Sequence, residues 1–369
     1  METILSVEHL MISFSQYERG WRKTQLPVIR DLSVNIKEHE IVALVGSSGS
    51  GKSLLAHAVM GLLPANASWS GTISFEGEEL TQKRVKELRG NRMVLVPQSV
   101  SYLDPLMKVG DQVRKGHKDE ASRARSREVT GRYGLGEETE ELYPFQLSGG
   151  MTRRILISTA VMEKPKLVIA DEPTPGLHIS AAKRVLSHFR EIADEGAGVL
   201  LITHDLELAL EVADRIVVMR GGHIEQVAAP ESLGNDDSNR FVTEFLGQIN
   251  IFRGDIGTDG GVRIGSVRQP VAALTAGSGP VSVFVRPWSL TLQHTFSADA
   301  VAARVVTIRS HGHYRTAVVT TEAAEDEVTV ILPPDTRAAA GDSVWLTIRE
   351  LRLFRGEDEL ALLPQAQCA

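Results

Sequence analysis

The residues best suited to chemistry stand between positions 46 and 53, where Gly46-Ser47-Ser48-Gly49-Ser50-Gly51-Lys52-Ser53 has the spacing G-x-x-x-x-G-K-S. Glycines at 46, 49 and 51 let the backbone wrap closely, so that its N–H groups and a following helix N-terminus point at phosphate oxygens. Lys52 is placed to reach the β- and γ-phosphates of a nucleoside triphosphate, and the Ser53 hydroxyl to ligate Mg²⁺. A second pair, Asp171-Glu172, ends the apolar run Leu167–Ala170. Asp171 is expected in the Mg²⁺ shell, and Glu172, one residue on, is expected to polarise an attacking water. An acidic pair after a strand is ordinarily a solvated loop start. The phosphate loop upstream in the same domain favours the chemical reading.

A phosphate loop needs a strand to deliver it and a helix to receive it. Ile41–Val45 supplies the first and the run Leu54 to Leu63 the second. Ile41–Val45, Met93–Val96, Leu167–Ala170, Val199–Thr203 and Ile216–Met219 are continuous apolar runs, the pattern of a parallel sheet covered on both faces. The domain is therefore α/β layered. A polar, helical stretch at about 85–162 predicts a helical subdomain inserted on that sheet. Gly234–Arg240 reads as a linker, and Phe241 and Phe245 share one face of a short helix. From about Ile249 the pattern changes to short strands, Val281–Val285, Val301–Ile308, Arg315–Thr320, Val328–Leu332 and Ser343–Ile348, separated by Gly, Pro and Asp turns. That predicts a small β-barrel or sandwich. No repeat recurs at a fixed period.

Leu147-Ser148-Gly149-Gly150-Met151 lies between the two chemical motifs, and His204 follows the strand Val199–Thr203. Together these resemble the nucleotide-binding subunit of ATP-binding cassette transporters over about two thirds of the chain. The four-residue signature Leu147 to Gly150 is the most specific part. The resemblance implies ATP and Mg²⁺ as ligands, and head-to-tail pairing in which Ser148, Gly149 and Gly150 cap the nucleotide held by a second such subunit. It also implies that Gln98 senses Mg²⁺ and the attacking water beside the membrane-subunit contact. By the same resemblance His204 hydrogen-bonds the γ-phosphate and Phe14 stacks on adenine. Tyr17 and Trp21 are nearby aromatics, and a phenylalanine on an N-terminal strand is often plain core. Three departures stand out: His178 replaces the aspartate that follows Pro175-Gly176-Leu177, Met151 replaces a common glutamine, and Gln98-Ser99 lacks an Asp-Pro continuation. The first bears on communication between two hydrolytic sites.

Within that family, Phe14, the long stretch before Val28-Ile29-Arg30-Asp31-Leu32, and the signature with Met151 look like the peptide and nickel importer branch. Phe241 to Gly247, Val283 to Pro287 and Leu351 to Phe354 look instead like the TOBE barrel of sugar, polyamine, iron and molybdate importer ATPases. The expected fold is thus a P-loop NTPase cassette over 1–247, followed by an OB- or TOBE-like β-barrel over 248–369. The expected partners are a second cassette, identical or not, separate membrane permease subunits and, indirectly, an extracytoplasmic solute-binding protein. The expected place is the cytoplasmic face of the cell membrane.

The whole-chain properties fit these expectations. The 369 residues carry 40 basic and 47 acidic side chains, a net charge of −7, which offers no general attraction to nucleic acid or anionic lipid. One cysteine, Cys368, excludes an intrachain disulfide framework and points to a reducing compartment. Met1 to Leu10 holds Glu2 and Glu8 and lacks the regions of a signal peptide, and no apolar run nears the roughly 20 residues that span a bilayer. A soluble cassette acting on DNA or ribosomes usually carries two cassettes or a long coiled coil, and sustained heptads are missing here. A half-transporter exporter would carry its membrane domain on the same chain. A barrel that senses a ligand is a further reading. His311 and His313 share a strand face, yet they lack further ligands nearby in sequence, so a hairpin turn is the preferred reading.

Overall fold

A computed structural model describes the chain apart from residues 1, 18–22, 100–101, 234–239, 246–248, 266, 274–276, 311–313, 334–335 and 365–369. Trp21, His311, His313, Cys368 and nearly all of the expected linker lie outside the described residues. The chain divides into two units, Met1–Leu233 and Gly234–Ala369.

The first unit opens with two long strands, β1 (Thr3–Tyr17) and β2 (Lys23–Lys37), then β3 (Ile41–Gly46) and helix α1 (Lys52–Val59). β4 (Ala67–Phe75), β5 (Glu78–Glu79), α2 (Gln82–Leu88) and β6 (Met93–Val96) follow. Three helices come next, α3 (Val109–Val113), α4 (Glu120–Arg132) and α5 (Gly149–Val161). The unit ends with β7 (Leu167–Asp171), α6 (Ile179–Asp194), β8 (Gly198–Thr203), α7 (Leu206–Val212), β9 (Arg215–Arg220) and β10 (His223–Ala228).

The apolar runs form one six-stranded sheet in the order β10-β9-β3-β8-β7-β6. Five of these strands are parallel, and β10 returns antiparallel to β9 as a hairpin. β3, β7 and β8 are buried along their whole length, which explains their unbroken apolar character. The register pairs Val45 with Thr203 and Asp171 with Ile202. The C-terminal ends of β3, β7 and β8 therefore meet at one sheet edge, where ligands bind in open α/β folds. A second, antiparallel sheet in the order β2-β1-β4-β5 shares a core with the first, built from side chains such as Leu10, Ile36, Leu44, Phe75 and Ile169.

The helices are anchored by caps and apolar faces. α6 buries Ala182, Val185, Leu186, Phe189, Ile192 and Ala193 at three- and four-residue spacing. Removing Phe189 from water contributes about 2–3 kcal/mol. Asp119, Ser148 and Asp205 cap α4, α5 and α7 by accepting backbone N–H bonds. Within the stretch expected to be helical, α2 precedes β6, which pairs with β7 inside the sheet as one of the expected strands, and α3 to α5 follow it.

Among the described residues the second unit is α8 (Arg240–Phe245) followed by twelve strands: β11 (Asn250–Ile256), β12 (Gly261–Ile264), β13 (Val267–Ala273), β14 (Gly279–Val285), β15 (Leu290–Gln293), β16 (Val301–Ser310), β17 (Arg315–Thr320), β18 (Val328–Leu332), β19 (Ser343–Ile348), β20 (Arg352–Arg355), β21 (Asp358–Leu360) and β22 (Leu362–Pro364). Two antiparallel sheets, β21-β20-β14-β11-β12-β13-β22 and β15-β19-β16-β17-β18, enclose one core that includes Phe252, Val283, Val330, Leu346 and Leu353. β15 and β18 come together, so the second sheet nearly closes on itself. The division falls before α8, whereas the sequence reading placed it after Gly247. α8 belongs with the strands because Arg240 donates to the Gly356 carbonyl at 3.0 Å and Arg352 donates to the Thr243 hydroxyl at 3.0 Å. The rings of Phe241 and Phe245 stack at 5.7 Å. Among the described residues no helix is long and apolar enough to cross a membrane.

Candidate functional site

The loop after β3 is shaped by close approach. A Cβ on Gly46 would stand 2.2 Å from the Met219 carbonyl of neighbouring β9, so only glycine fits. Gly51 takes φ +100° as the chain turns into α1. Lys52, the first residue of that helix, is buried, and its ammonium donates to the carbonyls of Gly46 at 2.9 Å and Ser47 at 3.1 Å. Burial lowers its pKa, while the charges of Glu172 and Asp171 act in the opposite direction.

At the neighbouring strand end, Ser53 Oγ donates to Asp171 Oδ1 at 3.0 Å. Burial is the main reason the Asp171 carboxyl lies above its ordinary pKa; the Glu172 charge adds to that, and the Ser53 bond, His57 and Lys52 oppose it. Glu172 is also buried and holds a positive φ of 47°, a strained conformation for a non-glycine residue. His204, just past β8, makes an Nδ1 to Oε2 hydrogen bond of 2.9 Å with Glu172.

These groups line one cleft of about 540 Å³, formed by Ser48 through Leu54 together with Val28, Gln98, Glu172 and His204. Gly46 and Ser47 enter through the carbonyls that hold Lys52. Gln98 arrives from the segment after β6. Phe14 is half-buried against the core and is not among the lining residues, and Ser148, Gly149 and Gly150 lie on a different element at the start of α5. The sequence reading missed Val28 and Leu54 as lining residues. Val28 belongs to the four-stranded sheet, and nothing in its local pattern marks it as part of the cleft.

The cleft fits a nucleotide chemically. Ser50 Oγ is buried without a hydrogen-bond partner, and the Lys52 ammonium is satisfied only by loop carbonyls, so phosphate oxygens would complete both. The Ser53 hydroxyl and Asp171 carboxylate are hard oxygen donors already in contact, a set suited to Mg²⁺. Among the described residues no cluster of three or more His, Cys, Asp or Glu forms another metal site.

Comparison with known proteins agrees with this geometry. The model of the family described as ABC transporter matches residues 29–175. The sulfate/thiosulfate import ATP-binding protein of Escherichia coli O6:H1 is 30% identical over 362 residues, covering 95% of this chain and 96% of that protein. Its namesake in Bacillus cereus is 33% identical, covering 89% and 94%. Among solved structures, a dimeric ATP-binding cassette in a post-hydrolysis state with ADP and Pi superposes with a TM-score of 0.53 at 24% identity, covering 62% of this chain and 99% of that one. A nucleotide-free cassette gives 0.55, also at 24% identity, covering 66% and 98%. At that identity the structures establish the fold, while the relatives match along nearly their whole length. The chain belongs to the ATP-binding subunits of ABC transporters, a family of transport ATPases.

Proposed function

We propose that this chain is the ATP-hydrolysing subunit of an importer for a small inorganic oxyanion such as sulfate or thiosulfate. The observation that carries the hydrolytic part is the single cleft holding Lys52, Ser53, Gln98, Glu172 and His204, with Asp171 bonded to its lining residue Ser53. The cargo class rests on the names of the relatives, whose similarity extends through the second unit. None of the names given above carries the peptide or nickel cargo expected from Phe14 and the signature.

In this reading the loop amides and Lys52 hold the β- and γ-phosphates. Ser53, Asp171 and Gln98 would hold Mg²⁺, which supplies charge neutralisation at the phosphates. A water attacks the γ-phosphorus, the bond to the bridging oxygen breaks, and Glu172 takes the water's proton. His204 turns from Glu172 to donate to the γ-phosphoryl oxygen. Ser148, Gly149 and Gly150 of a second subunit, identical or different, cap the nucleotide at a helix N-terminus. Phe14 stacks on the base.

An apolar groove of about 630 Å³ beside Gln98 supports a permease partner. It is lined by Leu62, Leu95, Leu103, Met107 and Leu156 among others, and the nearby Leu106 is 88% exposed. A helix of a membrane subunit seated there places the chain at the cytoplasmic membrane face. The solute-binding protein acts through that permease, and the second unit serves as the TOBE-like domain, with the net charge giving no role for nucleic acid.

The test is uptake into proteoliposomes carrying the chain together with permease subunits shown to co-purify with it. Internal Mg-ATP should drive entry of labelled sulfate or thiosulfate. Uptake of peptide or nickel but not of either oxyanion would overturn the cargo assignment and leave the ATPase intact.

A further inference from the structure

α5 turns an arginine inward one turn after its signature serine. Arg153 is 6% exposed, and its Nη1 donates to the Pro97 carbonyl at 3.0 Å. Pro97 is the residue immediately before Gln98. No carboxylate among the described residues pairs with this guanidinium, and burial alone acts on its pKa, lowering it. A buried cation satisfied by a carbonyl costs stability that an apolar side chain of similar volume would not. The cost falls at one joint. Leu156, three residues on along α5, lines the apolar groove together with Pro97. The next residue, Arg154, donates to the carbonyls of Tyr133 and Gly134 at 2.9 and 3.1 Å and so fastens α5 to the end of α4. α5 is therefore held on one side by its own helical neighbours and on the other by the segment that carries Gln98 into the cleft.

We propose that Arg153 is a positioning residue that fastens the signature helix to the Gln98 segment, so that presentation of Ser148 to a partner's nucleotide and seating of Gln98 in its own cleft are one movement. This rests on the roles given to Gln98 and Ser148 above. A helix pressed into the groove meets the same joint through Pro97 and Leu156, so a signal from the membrane side passes to both nucleotide contacts.

The test compares Arg153→Met, which keeps volume and removes the donor, with Arg153→Lys, which keeps a donating cation. In Arg153→Met, KM for ATP should stay within about twofold while kcat falls about tenfold, since a displaced catalytic group costs turnover and not ground-state binding. Arg153→Lys should recover most of that loss. In a Gln98→Ala background, Arg153→Met should make no further difference, because residues acting through one another are not additive. Amide hydrogen exchange across residues 93–99 should speed up in Arg153→Met and return toward wild type in Arg153→Lys. Additive losses, or unchanged exchange, would overturn the proposal. So would weaker nucleotide binding with a lower Tm that lysine does not rescue. If Gln98→Ala itself leaves kcat at the wild-type value, the role of Gln98 fails, and the exchange measurement alone decides whether Arg153 holds the segment.

Discussion

Glu172 and Asp171 are adjacent in the chain and have different duties in the proposed mechanism, and substitutions separate them. Glu172→Gln keeps shape and removes the proton acceptor, so kcat should fall by about 10²–10⁴ with ATP affinity preserved, as read by single-turnover hydrolysis and a fluorescent nucleotide titration. Asp171→Asn should abolish Mg²⁺-dependent hydrolysis and at the same time raise the Tm of the nucleotide-free protein by about 2 °C at neutral pH. The sign follows from the raised carboxyl pKa of Asp171. The native state holds the charged form at a cost that is absent in acid, appears as pH rises through the unfolded carboxylate range, and is complete above the native value. The Tm advantage of the variant should therefore vanish at low pH; a constant advantage across pH would contradict this account. Lys52, Ser53, Asp171 and Glu172 were legible in the sequence because each motif is contiguous and its chemistry dictates residue type. Arg153 was not, because its partner is a backbone carbonyl that any residue at position 97 would supply.

At the scale of elements, the hairpin of β9 and β10 meets β2 through the Arg30 N–H, which donates to the Gly222 carbonyl at 2.9 Å. A Cβ on Gly222 would lie 2.0 Å from the Val28 carbonyl, and its φ is +86°. Gly222→Ala must push the hairpin off β2, and Val28 lines the cleft. The expected result is a loss of about 3 kcal/mol or more in urea unfolding, together with weaker nucleotide binding. Full stability in this variant would mean that the hairpin yields freely. The five parallel strands were readable from unbroken apolar runs. The antiparallel sheet was largely missed, because β1 and β2 shift register at bulges and pass through positive φ at His9 and Asp31, which breaks the alternation that marks a strand. In the second unit Arg315–Thr320, Val328–Leu332 and Ser343–Ile348 match the expected strands residue for residue, whereas β11 to β13, β15 and β20 to β22 were passed over. β15, β20, β21 and β22 are four residues or fewer, too short for alternation to register.

For the whole molecule, the position of α8 decides where the chain can be cut. A truncation after Leu233 should stay soluble and bind ATP. One after Gly247 leaves the buried Val242 and Thr243 without the strands that cover them and should aggregate more readily under the same conditions. Equal behaviour of the two truncations would detach α8 from the second unit. The overall plan was legible because a change of hydrophobic period marks a change of architecture, but the exact boundary was not, since it depends on two arginine contacts from residues more than a hundred positions apart. Among the described residues each unit has a core of its own: one gathers residues up to Ile224 and the other begins at Phe252. Heat should therefore open them as two endotherms in a calorimeter. Because the nucleotide cleft is built entirely from the first, added Mg-ATP should move one peak upward and leave the other where it stands.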